Sequence, residues 1–230
     1  MTEAIILAGG LGTRLRSVVP NTPKPMALVA GKPFLEWQLD YLISQGIETF
    51  IISTGYLSQT IENHFGDSYK SKEIKYSREE TPLGTGGAIK MALSLASQDF
   101  LFVLNGDTFC NFPAEEMSKF QNKKGILIAI KEHHENTRYA SIEFDKDSLE
   151  IKNFNNQCSQ KNKWINCGVY FLSKNFFTYE HTQEVFSFEE HLSQISQNSK
   201  YAFPMDGYFI DIGIPEDYKK SQLLIPKWVK

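Results

Sequence analysis

Leu7-Ala8-Gly9-Gly10-Leu11-Gly12-Thr13-Arg14-Leu15, led in by Ala4-Ile5-Ile6 and followed by Thr22-Pro23-Lys24-Pro25-Met26, is the stretch that decides how this chain folds. The apolar run 4–7 has the length of a buried strand and a helix is predicted from Arg14, which leaves the glycines in a strand-to-helix turn. Gly9, Gly10 and Gly12 take Cβ atoms away from this turn, so a phosphate can approach several backbone N–H groups while the helix N-terminus supplies partial positive charge. Leu7, Ala8, Gly9, Gly10, Gly12 and Thr13 are therefore candidate nucleotide contacts, and Arg14 and Lys24 add two full cations.

Dinucleotide-binding folds also place a glycine turn after the first strand, but they want an acidic residue about 20 positions on, at the end of the second strand, to hold a ribose. Here the second predicted strand, 49–54, runs into Gly55-Tyr56, and the chain instead offers Pro23-Lys24-Pro25, a rigid turn that holds a lysine. A dinucleotide-dependent oxidoreductase loses its ribose ligand on this reading.

Outward from the turn, apolar runs alternate with helical patterns: strand 4–7, helix 33–45, strand 49–54, helix 58–65, strand 73–77, helix 86–97 and strand 100–104. That order predicts βαβ units around a mostly parallel sheet. Helix 33–45 starts on Pro33, carries Phe34, Leu35, Leu39, Leu42 and Ile43 at helical spacing and stops at Gly46. After residue 106 strands follow more closely, at 125–131, 139–144, 149–154 and 164–172, which predicts added antiparallel strands. Ser187-Phe188-Glu189-Glu190 has capping-box spacing and opens a helix to about 197. Pro215-Glu216-Asp217 opens a last helix, 215–224, in which Asp217 serves as a first-turn acid. The amide-rich segment 155–163 reads as a loop.

With 230 residues, one domain is the default, with a first half (1–106) built round the glycine turn and a second half (107–222) of more closely spaced strands. The formal charge of -3, with Lys and Arg spread along the chain, gives no footprint for nucleic acid. No apolar stretch approaches the ~18 residues needed to span a bilayer, and the N-terminus enters a strand at once. A cytoplasmic location without a membrane partner is expected. Cys110, Cys158 and Cys167 include no CxxC pair and read as reduced packing thiols. His133-His134 reads as solvated surface, and His64, His181 and His191 lack metal or triad spacing. The aromatics are assigned to packing.

Phe100-Leu101-Phe102-Val103-Leu104 ends in Asn105-Gly106-Asp107, which puts an aspartate at the carboxyl end of a parallel strand, on the ligand side of the sheet. A second aspartate, Asp211, sits between apolar neighbours in Tyr208-Phe209-Ile210-Asp211-Ile212-Gly213-Ile214-Pro215. Two carboxylates with phosphate oxygens and waters suit octahedral Mg²⁺ better than a softer metal.

Taken together, G-G-x-G-T-R-L, P-K-P, P-L-G-T-G-G, N-G-D and D-I-G-x-P resemble the signature of the sugar-1-phosphate nucleotidyltransferases, from Met1 to about residue 222. The resemblance implies an α/β fold: a single three-layer α/β/α Rossmann-like domain of the nucleotide-diphospho-sugar transferase kind with a mixed central sheet. It implies attack by a sugar 1-phosphate on the α-phosphorus of a nucleoside triphosphate, with Mg²⁺ on Asp107 and Asp211, Arg14 steadying pyrophosphate, and Lys24 holding the α-phosphate or the acceptor phosphate. Arg14, Lys24 and Asp107 are then the catalytic set.

Ser77-Arg78-Glu79-Glu80-Thr81-Pro82-Leu83-Gly84-Thr85-Gly86-Gly87-Ala88 resembles the family's nucleobase loop, with Gly84 and Thr85 among the nucleotide contacts. Glu79 stands where uridylyl and thymidylyl members carry glutamine. A carboxylate only accepts, so it matches the adjacent N1–H and N2–H donors of guanine and repels the acceptor oxygen of uracil. Glu80 takes that role if the loop is shifted by one residue. Asn105, Tyr139, Ala140 and Asn166 match the family's sugar-binding positions, but its Glu-Lys pair is replaced by Asn156-Gln157, leaving Lys161 or Lys163 to grip the sugar phosphate.

The implied substrates are GTP and a heptose 1-phosphate. Mannose 1-phosphate stays open as acceptor, and short uridylyltransferases come next. A non-catalytic nucleotide-sugar sensor is the alternative of another class. A homo-oligomer is left open, since interface and core residues look alike in one sequence.

Overall fold

Alternation along the first strand explains the layers. Ala4 and Ile6 enter one apolar core and Ile5 another, so the strand is covered on both sides. The computed structural model describes residues 2–10, 12–15, 18–120, 122, 125–133, 139–155, 164–179 and 183–229. In chain order the strands are β1 (Thr2–Leu7), β2 (Leu28–Val29), β3 (Lys32–Pro33), β4 (Ile47–Thr54), β5 (Ser68–Tyr69), β6 (Lys72–Arg78), β7 (Phe100–Asn105), β8 (Thr108–Cys110), β9 (Ile126–Glu132), β10 (Ser141–Phe144), β11 (Ile151–Asn155), β12 (Trp164–Ser173), β13 (Lys200–Pro204) and β14 (Phe209–Asp211). The α-helices are α1 (Phe34–Ser44), α2 (Ser58–Phe65), α3 (Gly84–Leu93), α4 (Ala114–Met117), α5 (Phe188–Gln194) and α6 (Pro215–Trp228).

Ten strands form one mixed sheet in the order β11-β10-β12-β7-β1-β4-β6-β5, with β9 paired to β12 and β13 paired to β9. β7, β1, β4 and β6 are parallel, whereas β12 runs antiparallel to β7, β9 and β10. The chain proceeds from β1 to β4 and β6 on one side, then returns to lay β7 on the other. This order reverses between β1 and β7, and that reversal positions the site. Leu35, Leu39 and Leu42 of α1 and Ile61 and Phe65 of α2 pack on one face, and Ile89 and Ala92 of α3 with Phe188 and Leu192 of α5 pack on the other. A smaller core joins Leu15, Phe34, Phe109, Ile210 and Ile225, so α6 buttresses the β8–β14 pair.

The helix expected from Arg14 is replaced by a single 3₁₀ turn, Thr13–Leu15, closed by Leu15 N–H to Gly12 O at 3.1 Å. A 3₁₀ turn of three residues carries little of the dipole of a full helix. Other bounds shift at the ends: the third helix starts at Gly84 and ends at Leu93, α5 stops at Gln194, and α6 runs on through Pro226 to Trp228. Cys110 and Cys167 are buried free thiols, and Cys158, His134 and His181 lie outside the described residues.

The His191 ring packs against Phe176, Phe177 and Phe186, and its Nε2 is buried without a hydrogen-bond partner among the described residues. Burial, with Lys200 nearby, holds its pKa below 6.5. The unfolded chain therefore binds more protons than the folded one as pH falls below 6.5, and stability is lost through that window down to the folded-state value. His191→Leu is expected to flatten the fall in the urea-denaturation midpoint between about pH 7 and 5; an equally steep fall in the variant would contradict this assignment.

Candidate active site

The carboxyl ends of four parallel strands meet at the reversal of strand order, where open α/β sheets bind ligands. These ends are knitted together by the backbone: Ala8 N–H bonds Ser53 O at 2.8 Å, Gly106 N–H bonds Leu7 O at 2.9 Å, and Glu79 N–H bonds Thr54 O at 2.8 Å. Two cavities open over them. The first, of about 340 Å³, is bounded by Gly9, Gly10, Lys24, Glu79 and Thr85, with Leu7, Ala8 and Gly84 also in its wall. The second, of about 440 Å³, is bounded by Arg14, Tyr139, Asn166, Gly168, Glu189 and Asp211, with Ala140 also in its wall. Asn105 and Asp107 belong to both.

At this junction Lys24 Nζ lies 2.8 Å from Asp107 Oδ2, with side-chain exposures of 14% and 31%. The lysine is aimed by the turn expected from its flanking prolines: Met26 N–H bonds Pro23 O at 2.8 Å and Ala27 N–H bonds Lys24 O at 3.0 Å. Its aliphatic stem passes Gly12, which lines neither cavity. Thr13 sits in the neighbouring 3₁₀ turn. Asp211 is brought to Asp107 by strand pairing, since β14 runs antiparallel to β8 with Asp211 opposite Thr108. Its Oδ1 accepts the Gly213 N–H at 2.6 Å.

Among the described residues no group of three or more His, Cys, Asp and Glu side chains could enclose a metal. Asp107 and Asp211, two hard oxygen donors on one cavity wall, fit a Mg²⁺ whose remaining positions are taken by phosphate oxygens and water.

At the opposite end of the first cavity, Glu79 is held by its own loop. Its Oε2 accepts the Leu83 N–H at 2.9 Å, and Ser53 Oγ stands 3.4 Å from Oε1. A Cβ on Gly9 would fall 2.6 Å from that Oε1 and 3.3 Å from Gly55 N, so a side chain there would push the carboxylate out of its place. Glu80 is exposed and lines neither cavity, which leaves Glu79 as the one of the two carboxylates that faces the first cavity.

The glycines of Pro82–Gly87 have a task that spacing does not reveal. Gly84 has φ +71°, and a Cβ there would lie 2.5 Å from Phe186 O; side chains at Gly86 and Gly87 would meet the Phe186 ring and Glu184 O. Gly86 N–H bonds Phe186 O and Phe186 N–H bonds Leu83 O, both at 3.0 Å. Segment 183–187 is thereby fastened to the start of α3.

Asn166 faces the second cavity but also closes a local network: its Nδ2 donates to Tyr170 OH at 2.7 Å and its Oδ1 accepts the Gly168 N–H at 2.9 Å. The pairing of β12 with β9 shifts register between Asn166 and Tyr170, and this network spans the irregularity. Burial pushes the Tyr170 phenol well above its usual pKa, so it stays a neutral partner. Tyr139 packs edge-on against Phe209 at 5.1 Å between ring centres. Arg14 lies on this second cavity, not the first. Lys161, Lys163 and the Asn156-Gln157 pair lie outside the described residues. Ser187, Glu189 and Glu190 complete the wall; the sequence signals them only as a helix start.

The family model for nucleotidyl transferases matches residues 3–227, and the chain belongs to that family. It is 44% identical over 218 residues to the D-glycero-alpha-D-manno-heptose 1-phosphate guanylyltransferase of Campylobacter jejuni, covering 94% of this chain and 96% of the relative. It is 43% identical to the enzyme of the same name from Aneurinibacillus thermoaerophilus, covering 96% of each. A solved structure of HddC from Yersinia pseudotuberculosis complexed with GMP-PN superposes with a TM-score of 0.84 at 36% identity, covering 96% of this chain and 98% of that one. Among the described residues no helix is long and apolar enough to cross a membrane.

Gly84→Ala is expected to lower stability by about 1–3 kcal/mol, because it strains a left-handed residue against Phe186 O. Gly10→Ala, with nothing within 4 Å of the added Cβ, is expected to cost less than about 0.5 kcal/mol. Urea titration of both variants checks the contrast, and equal losses would contradict it.

Proposed function

We propose that this protein transfers GMP from GTP to D-glycero-α-D-manno-heptose 1-phosphate, giving GDP-heptose and pyrophosphate. The observation that carries this reading is the pair of cavities meeting at Asp107, one ending on the carboxylate of Glu79 and the other walled by polar groups able to bind a sugar. The identity to guanylyltransferases named for this heptose phosphate supports the acceptor.

In this reading residues 1–106 supply most of the nucleotide cavity and residues 107–222 most of the acceptor cavity. Glu79 accepts from guanine N1–H and N2–H, a bidentate contact uracil cannot return. Gly9 and Gly10 let the triphosphate lie against the strand end. Lys24 leaves Asp107 to pair with phosphate oxygens at the junction, and Arg14, on the acceptor side, adds positive charge toward the same point. Asn105, Tyr139, Ala140 and Asn166 bound the sugar.

Members of the family generally use a divalent metal, and Asp107 and Asp211 would hold Mg²⁺ here. When bound, Mg²⁺ neutralises the charge that otherwise keeps two phosphates apart. The acceptor phosphate is already anionic at neutral pH, so its oxygen attacks the α-phosphorus without a protein base, and the P–O bond to pyrophosphate breaks as the new one forms. Catalysis is then positioning and charge neutralisation by the residues named.

Pyrophosphate release is measured with Mg²⁺, each of five nucleoside triphosphates and a panel of heptose, mannose, glucose and N-acetylamino-sugar 1-phosphates, beside Asp107→Asn. Release with GTP and the heptose phosphate, lost in the variant, is expected; silence across the panel would favour a sensor. Glu79→Gln is expected to lower kcat/KM for GTP about 10- to 100-fold while raising use of UTP. Unchanged nucleotide preference would remove Glu79 from base recognition.

A further inference from the structure

Glu189 and Glu190 stand in the wall of the acceptor cavity, and the reaction just described gives neither of them a task. Glu189 is half-buried and rigidly held. Its Oε2 accepts from Thr85 Oγ1 at 2.8 Å and from Ser187 Oγ at 3.2 Å, and Thr85 Oγ1 in turn accepts the Phe188 N–H at 2.8 Å. These bonds consume one carboxylate oxygen, and Oε1 has no hydrogen-bond partner among the described residues. Glu190, beside it, is exposed; its backbone N–H is capped by Ser187 Oγ at 3.3 Å, and its carboxylate has no partner among the described residues.

The cavity is therefore electrically divided. Its wall carries Arg14, and Lys24 stands at the Asp107 junction paired to that carboxylate, whereas the wall formed by Glu189 and Glu190 is anionic with no cation bonded to either acid among the described residues. A pre-positioned carboxylate accepts hydrogen bonds, donates none and repels a second anion. Hydroxyl groups satisfy it, whereas a carboxylate or phosphate brought against it is repelled. A sugar 1-phosphate has the matching polarity, with its charge at C1 and neutral hydroxyls at the far end.

We propose that Glu189 is a specificity-determining residue whose Oε1 accepts hydrogen bonds from acceptor-sugar hydroxyls remote from the phosphate. Glu190 extends the same wall, so that the cavity admits neutral polyol sugars and excludes sugars bearing a second anionic group. The inference rests on the acceptor being a sugar 1-phosphate. Thr85 acts through Glu189 as a positioning residue, fastening that carboxylate to the loop that lines the nucleotide cavity.

The test uses the intact chain with Mg²⁺ and GTP. In Glu189→Gln the amide oxygen still accepts from Thr85 and Ser187, but an NH₂ donor replaces the free acceptor. The KM for heptose 1-phosphate is expected to rise about tenfold or more while the KM for GTP stays within about twofold. The melting temperature should hold. The wild-type protein is expected to use mannuronic acid 1-phosphate at least about 100-fold less well than mannose 1-phosphate, and the Glu189→Gln/Glu190→Gln double variant should narrow that ratio.

An unchanged acceptor KM in Glu189→Gln, or a rise in both KM values together with a lower melting temperature, would overturn the inference and leave only a structural role. A wild-type protein that releases no pyrophosphate with any neutral sugar 1-phosphate would instead overturn the reaction on which it rests.

Discussion

The contact between Lys24 and Asp107, at 2.8 Å, is the interaction on which the site depends, because it marks the point shared by two otherwise separate cavities. Its position follows from the backbone. β7 ends beside β1, Gly106 N–H bonds Leu7 O at 2.9 Å, and a Cβ at residue 106 would collide with that same carbonyl. The next residue has to emerge at the reversal of strand order. On the other side, a turn braced by Pro23 and Pro25 fixes the lysine, and the β8–β14 pairing brings Asp211 alongside. A partly buried ion pair of this kind adds little net stability, since desolvation offsets much of its attraction. Its value is in holding a cation and an anion ready at one place.

Around this junction the two halves of the chain divide the labour. Gly9, Ser53 and Glu79, at or just past the ends of the parallel strands β1, β4 and β6, bound the first cavity, whereas residues from β12, β14 and the start of α5 bound the second. The halves are not independent. Segment 183–187 is hydrogen-bonded to the start of α3, and Thr85 bonds Glu189 at 2.8 Å, so a residue of the first cavity helps hold the wall of the second.

Elements whose signal is local were legible in the sequence. The apolar runs of β1, β4, β6 and β7, the cap and stop of α1, and the limits of α2 at Ser58–Phe65 follow from periodicity and glycine placement. The nucleotidyl transferase family was legible too, because five short motifs agree on one reading. What was not legible depends on distant parts of the chain. Gly84 is expected as a nucleotide contact from the resemblance of its loop, and nothing local shows that Glu184 and Phe186, about a hundred residues later, also need the missing side chains of Gly84, Gly86 and Gly87. Ser187 and Glu190 read as a helix cap, and the serine does cap, but the tertiary fold decides that the acids line a cavity. The short pairs β2–β3 and β13 have no periodic pattern of their own and exist because β9 and the segment before α1 give them partners. The helix expected from Arg14 is a single turn over Thr13–Leu15, a difference that propensity could not foresee.

The central claim is that nucleotide and acceptor occupy two cavities that meet at Asp107. Equilibrium binding tests it most directly: heptose 1-phosphate is titrated by calorimetry into the protein with Mg²⁺, alone and saturated with a non-hydrolysable GTP analogue. The account predicts a ternary complex, with heptose phosphate binding at least as tightly to the nucleotide-loaded protein. Mutual displacement, in which each ligand weakens the other in proportion to its concentration, would mean a single shared site and would contradict it.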